Sequence, residues 1–327
     1  MEQAVSKPHF ETDGHPMALV AMGGHAFMQG DEKGTIEDHE RNATVIARAL
    51  MTLVERDYHL VVTHGNGPQV GNLLLQHELA RDKTPDMPLD VLVAMTEGSL
   101  GYILQQSLLN ELNARDIRRY VVTVVTQVIV DEDDPSFGSP TKPIGPYFSQ
   151  EEAESRRDQL GWSIKEQQRG WRRAVPSPRP RRVLQRDMIR DAARAGHIVV
   201  AAGGGGVPIK LDEKGNYAGV EAVVDKDLTS SVLAASVGAE LLIILTAVPN
   251  VYVGFGQPDQ RPLSAVTLEE VERLRQQGHF PTGSMGPKID AVIHFLKQGG
   301  RRALITDPAS LPDAMEGRAG SHFIGKL

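Results

Sequence analysis

Thr63-His64-Gly65-Asn66-Gly67-Pro68-Gln69-Val70-Gly71 is the stretch whose reading decides the fold. Just before it, His59-Leu60-Val61-Val62-Thr63 is an apolar run that predicts a buried strand. Just after it, residues 69–80 predict a helix, because Val70, Leu73, Leu74 and His77 fall along one face. Pro68 is placed to open that helix. Gly65 and Gly67 carry no Cβ, so the backbone N–H groups between strand and helix can turn outward. A helix N-terminus adds partial positive charge, and strand–glycine turn–helix is then an anion site. The same residues also suit a tight turn with no ligand. Two further glycine clusters, Gly23-Gly24 and residues 203–206, follow predicted strands as well, and the repetition favours ligand binding.

Working outward, residues 17–22, 120–130, 197–202, 219–224, 241–246 and 303–306 predict strands by their Val, Ile, Leu and Thr content. Residues 36–56 predict a helix with Ile46, Ala49, Leu50 and Leu53 on one buried stripe. Further helices are expected over 89–115, near 150–160, up to Gly196, and over 228–237, 267–277 and 289–296. The alternation of strands and helices predicts an α/β fold with a mostly parallel sheet and helices on both faces. Residues 131–180 break the rhythm, with seven prolines and both tryptophans, and read as an excursion from the sheet. Residues 1–16 are polar and read as a loose tail, without the apolar core of a secretory signal.

The chain has 327 residues, a net charge of −7 and no cysteine. The charge disfavours nucleic acid and anionic membrane as partners. The lack of cysteine excludes disulfides, thiolate catalysis and Cys-ligated zinc, and is compatible with a reducing compartment. No apolar run is long enough to span a membrane.

Three lysines stand out. Lys288 follows Gly283-Ser284-Met285-Gly286-Pro287 in the first turn of an amphipathic helix. A lysine there opposes the helix dipole by roughly 0.3–1 kcal/mol unless an anion binds beside it. Lys226 stands between Asp225 and Asp227 at a predicted strand end. The carboxylates can hold it extended and charged, or form a surface ion network of little worth. Lys142 is presented by the prolines of Pro140-Thr141-Lys142-Pro143. Walker A, Gly-x-Gly-x-x-Gly and Gly-x-Ser-x-Gly patterns are absent, and no helical His-x-x-x-His pair has a supporting carboxylate. His64 is expected to pack or cap its turn, and Glu97-Gly98-Ser99 to be a polar cluster at a helix start.

Taken in order, THGNGPQVGNLLL (63–75), MPLD (87–90), MTEGSLG (95–101), PTKPIGP (140–146), GWRRAVPSPRP (170–180), AGGGGVP (202–208), GVEAVVDKD (219–227) and GSMGPK (283–288) resemble carbamate kinase, of the amino acid kinase superfamily. The resemblance implies an open αβα sandwich of two lobes with a small protruding subdomain, working as a cytoplasmic homodimer. It places a carbamoyl-binding lobe at 17–196, including the subdomain at about 131–180, and a nucleotide-binding lobe at 197–327. By the same resemblance Lys142, Lys226 and Lys288 contact the transferring phosphate and Asp227 orients lysines. Gly23, Gly24, His25, Gly65, Asn66 and Gly67 hold the substrate. Gly203, Gly204, Asp225, Thr246, Val248, Val251 and Lys288 lie at the nucleotide. ATP or ADP, with Mg²⁺, and carbamate or carbamoyl phosphate are the implied ligands, and ATP synthesis in nitrogen-compound catabolism the implied direction. One departure is His25, where the family pattern Gly-Gly-Asn-Ala has asparagine. It leaves open a related kinase for another small carboxylate or phosphonate. A silent ATP-binding or carbamoyl-phosphate-binding sensor is a third reading.

Overall fold

The apolar runs of the sequence assemble into one eight-stranded sheet, seen in a computed structural model that describes residues 14–23, 27–30, 32–167, 169–281 and 285–325. In chain order the described strands are β1 (Met17–Met22), β2 (His59–His64), β3 (Val121–Val124), β4 (Gln127–Val130), β5 (Lys142–Phe148), β6 (Ser163–Gln167), β7 (Gly170–Val175), β8 (Pro180–Val183), β9 (Ile198–Ala201), β10 (Val207–Leu211), β11 (Tyr217–Gly219), β12 (Leu241–Leu245), β13 (Tyr252–Val253), β14 (Arg261–Pro262), β15 (Ala265–Thr267), β16 (Arg302–Thr306) and β17 (Ser321–Ile324). The helices are α1 (Ile36–Val54), α2 (Gly67–Ala80), α3 (Leu89–Ala114), α4 (Gln150–Leu160), α5 (Arg186–Arg194), α6 (Lys226–Val237), α7 (Leu268–Gln276), α8 (Met285–Lys297) and α9 (Leu311–Met315).

The main sheet runs β15-β17-β16-β12-β1-β2-β9-β3, and only the β16–β17 pair is antiparallel. Its inner strands β12, β1, β2 and β9 are buried on both faces, which is why they read as continuous apolar runs rather than alternating ones. On β1, Met17, Leu19 and Ala21 join the core under α5, α6, α7 and α8. Ala18, Val20 and Met22 join the core under α1, α3 and α9. Each fully buried Leu, Ile or Val in these layers contributes about 1.5–3 kcal/mol. The αβα sandwich expected from the sequence is therefore the observed fold.

The excursion at 131–180 contains a separate antiparallel sheet, β5-β7-β6, with α4 packed on it. Helix α4 has a capping box between Ser149 and Glu152 and ends at left-handed Gly161. The sheet docks on α2 through two glycines. A Cβ on Gly71 would lie 1.8 Å from the Gly145 Cα, so both backbones meet with no room for a side chain.

Three expectations need correction. Residues 120–130 form two strands in two sheets, not one strand. The chain turns at Thr126, whose hydroxyl donates to the Val124 carbonyl and accepts from the Ala202 N–H. Residues 219–224 are not a strand beyond Gly219, although Ala222, Val223 and Val224 are buried. Their burial comes from packing, and isolated bonds such as Val223 N–H to the Pro176 carbonyl replace a ladder. Helix α6 begins at Lys226, two residues earlier than expected, so Lys226 stands at a helix N-terminus rather than a strand end. Among the described residues no helix is long and apolar enough to cross a membrane.

Candidate active site

Strands β12, β1, β2 and β9 are neighbours and parallel, so the loops after their carboxyl ends share one edge of the sheet. That edge is where open α/β sheets bind ligands. The loops begin at Gly23, Gly65, Ala202 and Thr246. The Gly23 N–H donates to the Leu245 carbonyl, and the Thr246 N–H to that of Thr306, which ties the loop starts together. Gly24 and His25 lie outside the described residues.

The Ala202–Gly206 turn fits against its neighbours with no space left over. Ala202 and Gly204 are left-handed, at φ 49° and 66°. A Cβ on Gly203 would lie 2.5 Å from His64 Nε2, and one on Gly204 2.1 Å from Asn66 Nδ2. Gly203 and Gly204 thus pack directly on the loop expected to hold substrate. Asn66 is buried and donates to Thr96 Oγ1 at 2.8 Å, so its amide is held by α3. His64 is buried under this turn, with Nδ1 3.1 Å from the Gly65 carbonyl. Burial holds its pKa at about 4, so the ring is neutral at pH 7.

The charged groups gather at the start of α6. Asp225 caps the helix, with Oδ1 accepting from the Asp227 and Leu228 N–H groups. Its Oδ2 accepts from Lys142 Nζ at 3.2 Å, and Lys142 also donates to the Val224 carbonyl at 3.3 Å. Asp227 bridges two lysines, Lys226 at Oδ1 and Lys288 at Oδ2, the latter at 3.2 Å. Lys142 arrives from β5, Lys226 from α6 and Lys288 from the first turn of α8. The side chains of Lys226, Asp227 and Lys288 are only 11%, 5% and 14% exposed. Burial would raise the Asp225 carboxyl, but the charges of Lys142 and Lys226 outweigh it and hold the group well below the usual carboxylate range. Burial lowers Lys226, against the opposing pull of Asp227. The two carboxylates hold three ammonium groups in place and leave the cluster one positive charge in excess. Such an arrangement neutralises an incoming phosphoryl group without rearranging.

Three hydroxyls missed in the sequence brace this cluster. Thr229 Oγ1 donates to the Gly205 carbonyl, Ser230 Oγ to that of Lys226, and Thr63 Oγ1 lies 2.6 Å from Ser230 Oγ. Glu97 was also misread. It lies in the middle of α3, is 1% exposed, and accepts from the Thr126 N–H at 2.8 Å. Burial raises its pKa well above the usual value, opposed by the Thr126 and Gly203 N–H groups. Spacing gave no sign of this, because Glu97 acts through a residue 29 positions away. Thr246 and Val248 are partly exposed beyond β12. Val251 differs: its side chain is in the core, its N–H is taken by Ser321 Oγ and its carbonyl by the Leu263 N–H. It shapes that loop from beneath.

A family model described as the amino acid kinase family matches residues 16–307. The chain belongs to the amino acid kinase family. A carbamate kinase of Thermococcus kodakarensis is 43% identical over 310 residues, spanning 94% of this chain and 98% of that protein. A carbamate kinase-like protein of Escherichia coli is 42% identical over 316 residues, with the same two coverages. The structure of the carbamate kinase of Giardia lamblia bound to AMP-PNP superposes with a TM-score of 0.89 at 37% identity, covering 96% of this chain and 99% of that one. For an amino acid kinase the site reads coherently: glycine turns at one sheet edge, and lysines gathered from three elements around one helix N-terminus.

Proposed function

We propose that the chain catalyses reversible phosphoryl transfer between ATP and carbamate, giving ADP and carbamoyl phosphate. The observation that carries this reading is the meeting of Lys142, Lys226 and Lys288 around Asp225 and Asp227. Carbamate is an anion at neutral pH, so its attacking oxygen needs no general base. The work left to the protein is to bring two anions together in line and to offset their charge. Buried His64, a neutral imidazole, and buried Glu97 fit this: both support the turns and neither is placed as a base.

Each reactant finds a set of donors. Lys142, Lys226 and Lys288 take the transferring phosphoryl group, and Asp227 keeps two of them aimed. Gly23, Gly65, Asn66 and Gly67 take the carbamoyl end, together with Gly24 and His25. Asp225, Thr246 and Val248 border the nucleotide, with Gly203 and Gly204 forming the floor between the two. Both aspartates are engaged by lysines, and no cluster of three metal-ligating side chains exists among the described residues. That donor set fits Mg²⁺ entering on the nucleotide's phosphates rather than in a protein cage. Bound there, the ion would supply charge neutralisation between adjacent phosphates.

The direction toward ATP follows from the acyl-phosphate character of carbamoyl phosphate, a strong phosphoryl donor. A second copy of the chain is the fitting partner. Val91, Met95, Tyr102 and Leu109 form an exposed apolar stripe on α3, beside the edge strand β3. The absence of cysteine and the net charge of −7 agree with a cytoplasmic protein that binds neither nucleic acid nor membrane.

The deciding assay is ATP formation from ADP, Mg²⁺ and carbamoyl phosphate, with the unmodified chain, Lys226→Ala and His25→Asn in parallel. Turnover by the unmodified chain, lost in Lys226→Ala while nucleotide still binds, is the expected result. No turnover by the unmodified chain, with activity appearing in His25→Asn, would overturn the carbamate assignment. A sensor would show changed affinity alone in Lys226→Ala.

A further inference from the structure

Lys288 reaches Asp227 from the first turn of α8, and that turn is gripped from its other side by α7. Arg275, in the last turn of α7, forks Asp290 of α8. Its Nε donates to Oδ1 at 2.7 Å and its Nη2 to Oδ2 at 2.9 Å. The same guanidinium lies along Gly286. A Cβ on Gly286 would stand 3.5 Å from Arg275 Nη2 and 2.8 Å from the Pro281 carbonyl oxygen, to which the Gly286 N–H donates.

Gly286 and Asp290 are four residues apart, so they share one face of α8. Lys288 stands midway between them, and two residues turn a helix by about 200°. Lys288 therefore leaves the helix on the side away from the fork, toward Asp227 of α6 at 3.2 Å. Ile289, Val292 and Phe295 bury α8 in the core. Apolar burial is non-directional, so the slide and rotation of the helix fall to its polar contacts. A two-point guanidinium–carboxylate pair fixes both distance and angle. A plain staple between two helices would use the same pair. This one differs in bracketing Lys288, with Arg275 against the residues two before and two after it.

We propose that Arg275 is a positioning residue for phosphoryl transfer: through Asp290 it holds the turn of α8 that carries Lys288 where the transferring phosphate arrives. This rests on the reading of Lys288 given above. Functional groups need holding within about 0.5 Å of their productive place. Loss of the fork then weakens contact with the transferring phosphate and spares the rest of the nucleotide.

The test compares AMP-PNP, which carries a γ-phosphate, with ADP, which lacks one. Each is titrated calorimetrically with Mg²⁺ into the full chain and into Arg275→Met, Asp290→Asn, Lys288→Met and Arg275→Met/Lys288→Met. We expect AMP-PNP binding to weaken fivefold or more in Arg275→Met and in Asp290→Asn, with ADP binding within twofold of the unmodified chain. Added to Lys288→Met, the Arg275→Met change should weaken AMP-PNP binding by less than twofold. In ATP formation, kcat should fall at least tenfold in Arg275→Met with KM for ADP within twofold. Arg275→Lys keeps the charge and loses the fork; it should show the same pattern at smaller size, and it carries the test if Arg275→Met does not fold. The proposal is overturned if the folded variants keep AMP-PNP affinity and kcat within twofold. It is equally overturned if ADP binding weakens as much as AMP-PNP binding, or if Arg275→Met costs as much without Lys288 as with it. Failure of the unmodified chain to form ATP from carbamoyl phosphate would sink the carbamate reading alone, since the two titrations use neither carbamate nor carbamoyl phosphate.

Discussion

Replacing Asp227 by asparagine tests the reasoning about the lysine cluster most directly. The side chain keeps its shape and loses its charge. In the native protein each carboxylate oxygen serves one lysine, Lys226 at Oδ1 and Lys288 at Oδ2. An amide has one accepting end and one donating end, so whichever lysine faces the NH₂ loses its partner. Breaking a buried ion pair from one side costs about 3–5 kcal/mol. The lysines are 11% and 14% exposed, which lets solvent soften the loss, so we expect about 3 kcal/mol. For a chain of this length that is a fall in Tm of roughly 5 °C. The excess positive charge of the cluster rises from one to two, so anion binding should be retained or tightened. Turnover should fall at least ~100-fold, because the ammonium groups are no longer held where charge develops. Lys226, already lowered by burial, loses the group that opposed the shift, so residual turnover should climb as pH falls. The measurements are ATP formation against pH, AMP-PNP titration and thermal unfolding. Turnover within threefold of native at unchanged Tm would refute the bridging role of Asp227. So would a folded variant that loses nucleotide binding in step with turnover.

Two more predictions rest on single residues. Burial raises the Glu97 pKa in the folded state, so between about pH 4.5 and that raised value the unfolded chain releases a proton that the folded chain keeps, and stability falls as pH rises. Glu97→Gln cannot ionise; its Tm should exceed native by a margin that grows from pH 5 to pH 8, and parallel curves would refute this. Gly204→Ala combines a left-handed φ of 66° with a Cβ 2.1 Å from Asn66 Nδ2, so it should displace Asn66 and raise KM for carbamoyl phosphate several-fold. Gly215→Ala is the control, since its φ of 81° carries similar strain with nothing within 4 Å, and its kinetics should match native.

Much of the fold was legible because the inner strands β12, β1, β2 and β9 are buried on both faces. A strand such as Leu241–Leu245 is apolar at every position, and that pattern survives without knowledge of its neighbours. Helices with their own stop signals were equally plain, as Gly161 and Gly238 show in left-handed caps after α4 and α6. The misreadings have one cause. Residues 120–130 are uniformly β-forming, yet the break at Thr126 is imposed by Ala202, 76 residues on, and by Glu97, 29 residues back. Residues 222–224 are apolar because they are buried, and no ladder partner lies beside them.

The sequence by itself determined which residues carry charge, which turns lack Cβ atoms, and the period of each apolar stripe, since these are properties of single residues and their local spacing. From them came the α/β class, the glycine turns and the three lysines. Only the tertiary structure decided that Asp225 takes Lys142 while Asp227 takes Lys226 and Lys288, and that Glu97 supports the floor of the site as a buried acid. Those pairings join positions up to 83 residues apart. Their strength depends on burial and on which oxygen faces which nitrogen, and both exist only once the chain has closed on itself.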